Sequence, residues 1–192
     1  MELTKKRKSD LIFYGSLILL VLFLFFTPWG LKVRSWIGGV FLSAPAVEQT
    51  FPKDDTTLIK NNWEFISQDG KIVLLSEIDQ PIFLNIWATW CGPCRSEMQS
   101  IIDLHSKYGQ KVRFILVSPS ENLEIIKKFK EANDIEMDLY VTQYLAPELL
   151  QSNVYPTTYI ISPDKHVLLK SEGAHDWNAE SVHSFLDDIF KK

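Results

Sequence analysis

At 192 residues, with a net charge of −4 and only two cysteines, the chain has room for one globular domain plus an appendage. Residues 1–35 carry six Lys/Arg against two Asp/Glu, leaving 14 basic and 22 acidic residues beyond them, a net of −8. An acidic domain of this kind excludes nucleic acid as a partner, which needs basic patches, and two cysteines exclude a disulfide scaffold, which needs several bridges.

The chain opens with Lys5, Lys6, Arg7 and Lys8, followed by 21 uncharged residues at 11–31. That run is long enough to cross a hydrocarbon layer of about 30 Å as a helix. Trp29 and Trp36 flank its far end, where aromatics favour a membrane interface. A cleaved signal peptide is the alternative, but its apolar core is shorter and ends at a small-residue site. The nearest such site, around Ala44 and Ala46, lies too far downstream. The basic cluster outnumbers Lys32 and Arg34, which predicts a cytoplasmic N-terminus and a single crossing with the rest of the chain outside the cytoplasm. A second apolar run, 36–47, is short for a span and reads as interfacial; were it to cross, the domain would return to the cytoplasm. The expected divisions are a basic N-terminus and transmembrane anchor over 1–35, a juxtamembrane segment and linker over 36–60, and a folded domain over 61–192.

Within 61–192 the pattern alternates between strands and helices. Residues 62–67 and 71–75 flank Gln68-Asp69-Gly70, a hairpin signal. The run 81–88 is nearly all apolar, as in a strand buried on both faces. It leads into Cys91-Gly92-Pro93-Cys94 and a helix to about Tyr108, with Cys94, Met98, Ile101, His105 and Tyr108 on one face. Residues 111–118 form another buried strand, and 121–133 an amphipathic helix with Glu124 and Lys128 four apart. A short helix around 146–152, strands at 157–161 and 167–170, and a last helix capped by Asn178 complete the series. Val182, Phe185, Leu186 and Ile189 share that last helix's apolar face. The expectation is an α/β fold: a mixed central sheet with helices on both faces.

Two cysteines two residues apart make half of a zinc site, but no further Cys exists, and His105, His166, His175 and His183 show no ligand spacing. No metal or other cofactor is expected. The pair sits instead at a strand-to-helix junction. There unpaired backbone N–H groups and the helix dipole favour an anion, and Pro93 loses nothing for lack of an N–H. A thiol at Cys91 is acidified in that position, and the thiolate is the attacking species. Cys94, one turn in and more buried, is placed to resolve a mixed disulfide.

The sequence Phe83 to Met98, the Tyr155-Pro156-Thr157-Thr158 element and Glu172-Gly173-Ala174 before a terminal helix resemble the thioredoxin superfamily. Within it the chain is most similar to membrane-anchored TlpA/ResA-like thiol–disulfide oxidoreductases, over residues 61–192. The resemblance implies a thioredoxin fold outside the cytoplasm and an enzyme that reduces protein disulfides, often those of apocytochrome c. It implies a cis bond before Pro156, so that Tyr155 presents its backbone to substrate. It implies an aromatic, Trp90, beside the cysteines. The expected catalytic residues are then Cys91, Cys94 and Glu97, the last matching a glutamate that assists proton transfer. The expected substrate-binding residues are Trp90, Gly92, Pro93, Tyr155 and Pro156. Cytosolic thioredoxins carry a buried Asp where this chain has Asn85. Asn cannot take a proton, so that task falls to Glu97 or to water.

Blander readings stand beside these. Glu97 also reads as a solvated helix residue, Trp87 as core, His105 as a packed ring, and His175 as a loop residue near the site. The implied partners are disulfide-containing proteins and a membrane electron donor. Two rivals remain: an oxidase running the other way, as a potential near −120 mV instead of about −270 mV would dictate, and a module holding Cu(I) through the dithiol.

Overall fold

Every residue of the strand Ile82–Ile86 (β3) is buried, with Phe83 and Leu84 feeding two different cores. That is the alternation a pleated strand imposes when both faces are covered. β3 lies inside a seven-stranded sheet built with Glu64–Ser67 (β1), Ile72–Leu74 (β2), Arg113–Ser118 (β4), Leu139–Val141 (β5), Thr157–Ile161 (β6) and Val167–Glu172 (β7). The order is β2-β1-β5-β4-β3-β6-β7. β3, β4 and β5 run parallel, and all other pairings are antiparallel.

The computed structural model describes residues 2–27, 30, 33, 38–39, 41–47, 51 and 54–190. They belong to two compact units, Met1–Phe41 and Leu42–Lys192. In the first, α1 (Glu2–Phe26) leaves Leu11, Ile12, Phe13 and Leu19 exposed. Among the described residues no helix is long and apolar enough to cross a membrane. The span expected over 11–31 runs onto positions outside the described residues, as do Trp29, Lys32, Arg34 and Trp36.

In the second unit the helices are Gly92–Tyr108 (α2), Leu123–Ala132 (α3) and Glu180–Phe190 (α4). Asn122 caps α3 by accepting from Ile125 N at 3.0 Å. All three helices feed one core, through Met98 and Ile101, Ile126, and Val182 and Leu186. Helices on both faces were expected. The opposite core, around Trp63, Phe65, Tyr140 and Tyr159, is closed by coil and single 3₁₀ turns at Leu75–Glu77 and Glu148–Leu150. The helix expected at 146–152 is reduced to that second turn. Pro147 stands at its start and disfavours helix in Ala146 ahead of it, and Gln151 at its end is extended.

His105, placed on the inner face of α2 by periodicity, is only half-buried, while Glu97 and Leu104 are buried in full. On α4, His183 is buried and its Nε2 lies 3.0 Å from the carbonyl of Asn178. The carbonyl that opens α4 belongs to Ala179, which accepts from Val182 N at 3.0 Å, so Asn178 lies one residue outside the cap position.

The segment read as a linker is tied down where it is described. Val167 N donates to Thr57 O (2.9 Å), Ile59 N to Lys165 O (3.0 Å) and Phe51 N to Leu168 O (2.9 Å). β7 is an edge strand, and its free peptide groups recruit this segment as cover. Residues 42–47, read as membrane-interfacial, also lie against the domain: Pro45 is buried and Val47 packs on the core that holds the cysteines. The compact unit therefore begins at Leu42, ahead of residue 61.

Candidate active site

β3 delivers the chain to its C-terminal edge, where Trp87 N bonds Val117 O (3.1 Å) and Cys91 N bonds Ala88 O (3.1 Å). This turn aims Cys91 at the start of α2. Cys91 has extended backbone angles, φ −76° and ψ 112°, and is the cap residue of the helix. Its Sγ accepts from Cys94 N at 3.2 Å, so the sulfur occupies the place that a capping hydroxyl would take. Cys91 and Cys94 form a disulfide, with Cα atoms 5.3 Å apart. Gly92 and Pro93 are exposed in the first turn. Cys91 keeps 5% of its surface and Cys94 1%, so a partner sulfur approaches from the Cys91 side.

β6 brings the other half of the site. Its register pairs Ile86 with Thr157, which sets Pro156 beside the end of β3. The Tyr155–Pro156 bond is cis. The Tyr155 ring lies 5.9 Å from that of Trp90, and Trp90 is two-thirds exposed. These two rings form an apolar rim next to the cysteines.

Beneath the pair lies Glu97, three residues beyond Cys94 on the inner face of α2 and fully buried. One turn's spacing makes the two side chains neighbours. A buried carboxylate demands donors, and three are supplied. Asn85 Nδ2 donates to Oε1 (2.9 Å), while Trp177 Nε1 (2.9 Å) and the His175 backbone N–H (3.0 Å) donate to Oε2. Burial pushes the Glu97 carboxyl up to about 7, with the donors from Trp177, His175 and Asn85 holding it lower than burial alone would. The solvated reading of Glu97 is thus excluded. The group can gain or lose a proton close to neutrality.

Asn85 spends its second N–H on Thr158 Oγ1 (2.8 Å). The residue type matters: an amide offers donors to the carboxylate, whereas an Asp here would oppose a second charge to Glu97.

His105 is the packed ring and His175 the loop residue that the sequence reading gives. His175 serves Glu97 through its backbone, while its ring Nε2 lies 3.3 Å from Glu172 O. His105 packs edge-on against Phe114, and desolvation lowers its pKa. Trp87 is fully buried against Phe129, as core.

Sequence reasoning passed over three contributors. Trp177 is the first: a tryptophan in a loop after the last strand signals a buried N–H needing an acceptor. Ser100 is the second. Its Oγ accepts from Trp177 N (3.1 Å) and contacts the carbonyl of His175 (3.4 Å), tying the loop to α2. Glu121, read only as the first residue of the helix expected over 121–133, is the third. It accepts from Thr89 N and Ser118 Oγ, both at 2.8 Å, and also bonds the Thr89 hydroxyl. It braces the turn that leads into Cys91.

Comparison with known proteins agrees with this geometry. Residues 52–170 match the model of the AhpC/TSA family. The chain is 29% identical over 124 residues to the thiol–disulfide oxidoreductase ResA of Oceanobacillus iheyensis, covering 63% of this chain and 64% of that one. In structure it is similar to a Chlorobium tepidum protein assigned as thiol:disulfide interchange protein DsbE, with TM-score 0.60, 21% identity, and coverage of 69% of this chain and 96% of that one. StoA of Bacillus subtilis gives TM-score 0.54 at 16% identity, covering 66% and 96%. The thioredoxin-like α/β fold follows.

Proposed function

Since the chain belongs to the AhpC/TSA family, with a thioredoxin-like fold, we propose that it is a protein thiol–disulfide oxidoreductase that works as a reductant. The observation that carries this reading is the Cys91–Cys94 disulfide at the first turn of α2, one turn from a buried carboxyl that titrates near 7. In the reduced protein, Cys91 is the thiolate, stabilised by the helix start. It attacks one sulfur of a substrate disulfide, forming a mixed disulfide and releasing a substrate thiolate. Cys94 then passes its proton to Glu97 and attacks Cys91 Sγ, which releases the second substrate sulfur. The substrate has gained two electrons, and the enzyme is left as the disulfide seen here. Trp90, Gly92, Pro93, Tyr155 and Pro156 form the surface offered to the substrate.

An electron donor must reduce the pair again. We place the enzyme on a membrane, held by the apolar run 11–31, with its domain outside the cytoplasm. The basic cluster at 5–8 supports that orientation. Tethering raises the effective concentration between the domain and a membrane-embedded donor. We further propose cysteine pairs of apocytochrome c, the substrate class that the sequence resemblance implies.

The deciding experiment is the reduction potential of the pair, by equilibration of the full chain with thiol buffers and trapping of free thiols. A value near −270 mV supports a reductant, and one near −120 mV reverses the direction and makes it an oxidase. Protease accessibility of the domain from the outer face of intact cells checks the topology; protection there overturns it.

A further inference from the structure

Three consecutive loop residues between β7 and α4 face two ways. His175 N and Trp177 Nε1 donate inward to Glu97 Oε2. Between them, Asp176 N donates outward, to Ser43 O at 2.9 Å. Ser43 belongs to the segment 42–47, which lies just ahead of the sheet's cover and is itself anchored at two more points. Pro45 is buried, and Val47 packs on the core that contains both cysteines. A turn between them, with Val47 N on Pro45 O at 2.9 Å, sets their spacing. From the opposite side Ser100 on α2 grips the same loop. The donors of Glu97 are therefore held by α2 on one flank and by residues 42–47 on the other.

We propose that residues 42–47 act as a strap that positions Glu97, working through the 175–177 loop. The proposal rests on the role given to Glu97 above and adds its control by a segment that carries no titratable group. Loosening the strap frees Asp176 and lets His175 N and Trp177 Nε1 drift from the carboxylate. Donors to a charged group favour the charged form, so their loss raises the pKa at which Glu97 takes up a proton. Titratable groups on the elements around Glu97 are Cys91 at the cap of α2, Cys94, Arg95, Asp103, His105, Lys107 and Tyr108 along it, Tyr159 on β6, Lys170 and Glu172 on β7, and His175 and Asp176 in the loop. The facing side chains of β3 and β6, Asn85 and Thr158, are neutral.

The test is the pH dependence of the Cys91–Cys94 potential in the full chain in detergent, read by thiol trapping. Native protein, Glu97→Gln and the uncharged strap variant Pro45→Asn/Val47→Asn are compared. Reduction of the pair puts a thiol or thiolate beside Glu97 and so gives it a different pKa in the two redox states. The native curve is expected to change slope near pH 7 for Glu97, Glu97→Gln to lack that break while keeping the one that belongs to the Cys91 thiol, and the strap variant to move the Glu97 break up by about one pH unit. Should the asparagines unfold the domain, as circular dichroism will show, Pro45→Gly/Val47→Ala replaces them, with a smaller shift of the same sign. A native break left in place by folded strap variants overturns the strap alone. A native curve that coincides with Glu97→Gln removes the role of Glu97 and the strap with it.

Discussion

The indole of Trp177 donates to the carboxylate of Glu97 at 2.9 Å across 80 positions of sequence, and neither side chain retains any exposed surface. A charge so enclosed is costly, and its donors set how costly. Burial wins over three hydrogen bonds here, since the Glu97 carboxyl stands at about 7 and not near its usual 4.5. A carboxyl able to change its charge near neutrality thus lies one turn from Cys94, beside Asn85, which cannot hold a proton.

The first prediction concerns stability. Because the folded pKa of Glu97 lies above the unfolded one, the folded state binds the proton more tightly. Its contribution is full below about 4.5 and is lost as pH rises to about 7. Oxidised native protein is expected to lose on the order of 3 kcal/mol across that window from this group. Glu97→Gln removes that slope. Urea unfolding without reductant at a series of pH values reads the difference; equal slopes in the two proteins refute it.

Asn85→Asp replaces the donor at 2.9 Å from Glu97 with a second carboxyl. The two groups then share one site, and one of them stays protonated at neutral pH. The variant is expected to lose stability relative to native protein as pH rises through neutrality, by upwards of about 2 kcal/mol. Thermal unfolding at pH 5 and pH 8 suffices: a pH-independent difference contradicts the prediction.

Roles of the two sulfurs separate under substitution. Cys94→Ser leaves Cys91 able to attack but removes the resolving thiol. A disulfide-bearing protein substrate should then accumulate as a mixed disulfide, visible on a non-reducing gel and lost on adding dithiothreitol. Cys91→Ser should give no such adduct, because the remaining sulfur has 1% exposure. Adducts through Cys94 of comparable yield reverse the assignment.

Glu121 braces the approach to Cys91 by accepting from the Thr89 backbone, the Thr89 hydroxyl and Ser118. Glu121→Ala leaves Thr89 N without its partner in the half-buried turn. A loss of roughly 1–3 kcal/mol is expected, measured by denaturant unfolding. Glu124→Ala, whose carboxylate pairs only with exposed Lys128 on the same helix, serves as the contrast and should cost less than about 0.5 kcal/mol.

Much of the fold was legible because it depends on local pattern. The apolar run at 81–88 announced a strand buried on both sides, and β3 is one. The cysteines and Pro93 announced a helix start, and α2 begins at Gly92. The helix expected at 146–152 shrank to the 3₁₀ turn Glu148–Leu150, beyond which Gln151 is already extended. Nothing local in the segment 48–60 marks pairing, yet its described residues Phe51, Thr57, Leu58 and Ile59 pair with residues 165–168, in β7 and just ahead of it, more than a hundred residues away.

By itself, the sequence determined the cysteine pair and its place at a strand-to-helix junction, since the buried-strand run before it and Pro93 within it are local signals. It also named Glu97, but not its state. Only the tertiary structure decided that state, because desolvation and hydrogen bonding are summed over neighbours from β3, from α2 and from a loop some 80 residues on. The same holds for residues 42–47. Their apolar character suited a membrane surface and a protein core equally well. The side that claimed them was settled by a surface they do not encode, the one formed by the 175–177 loop and the core beneath the cysteines.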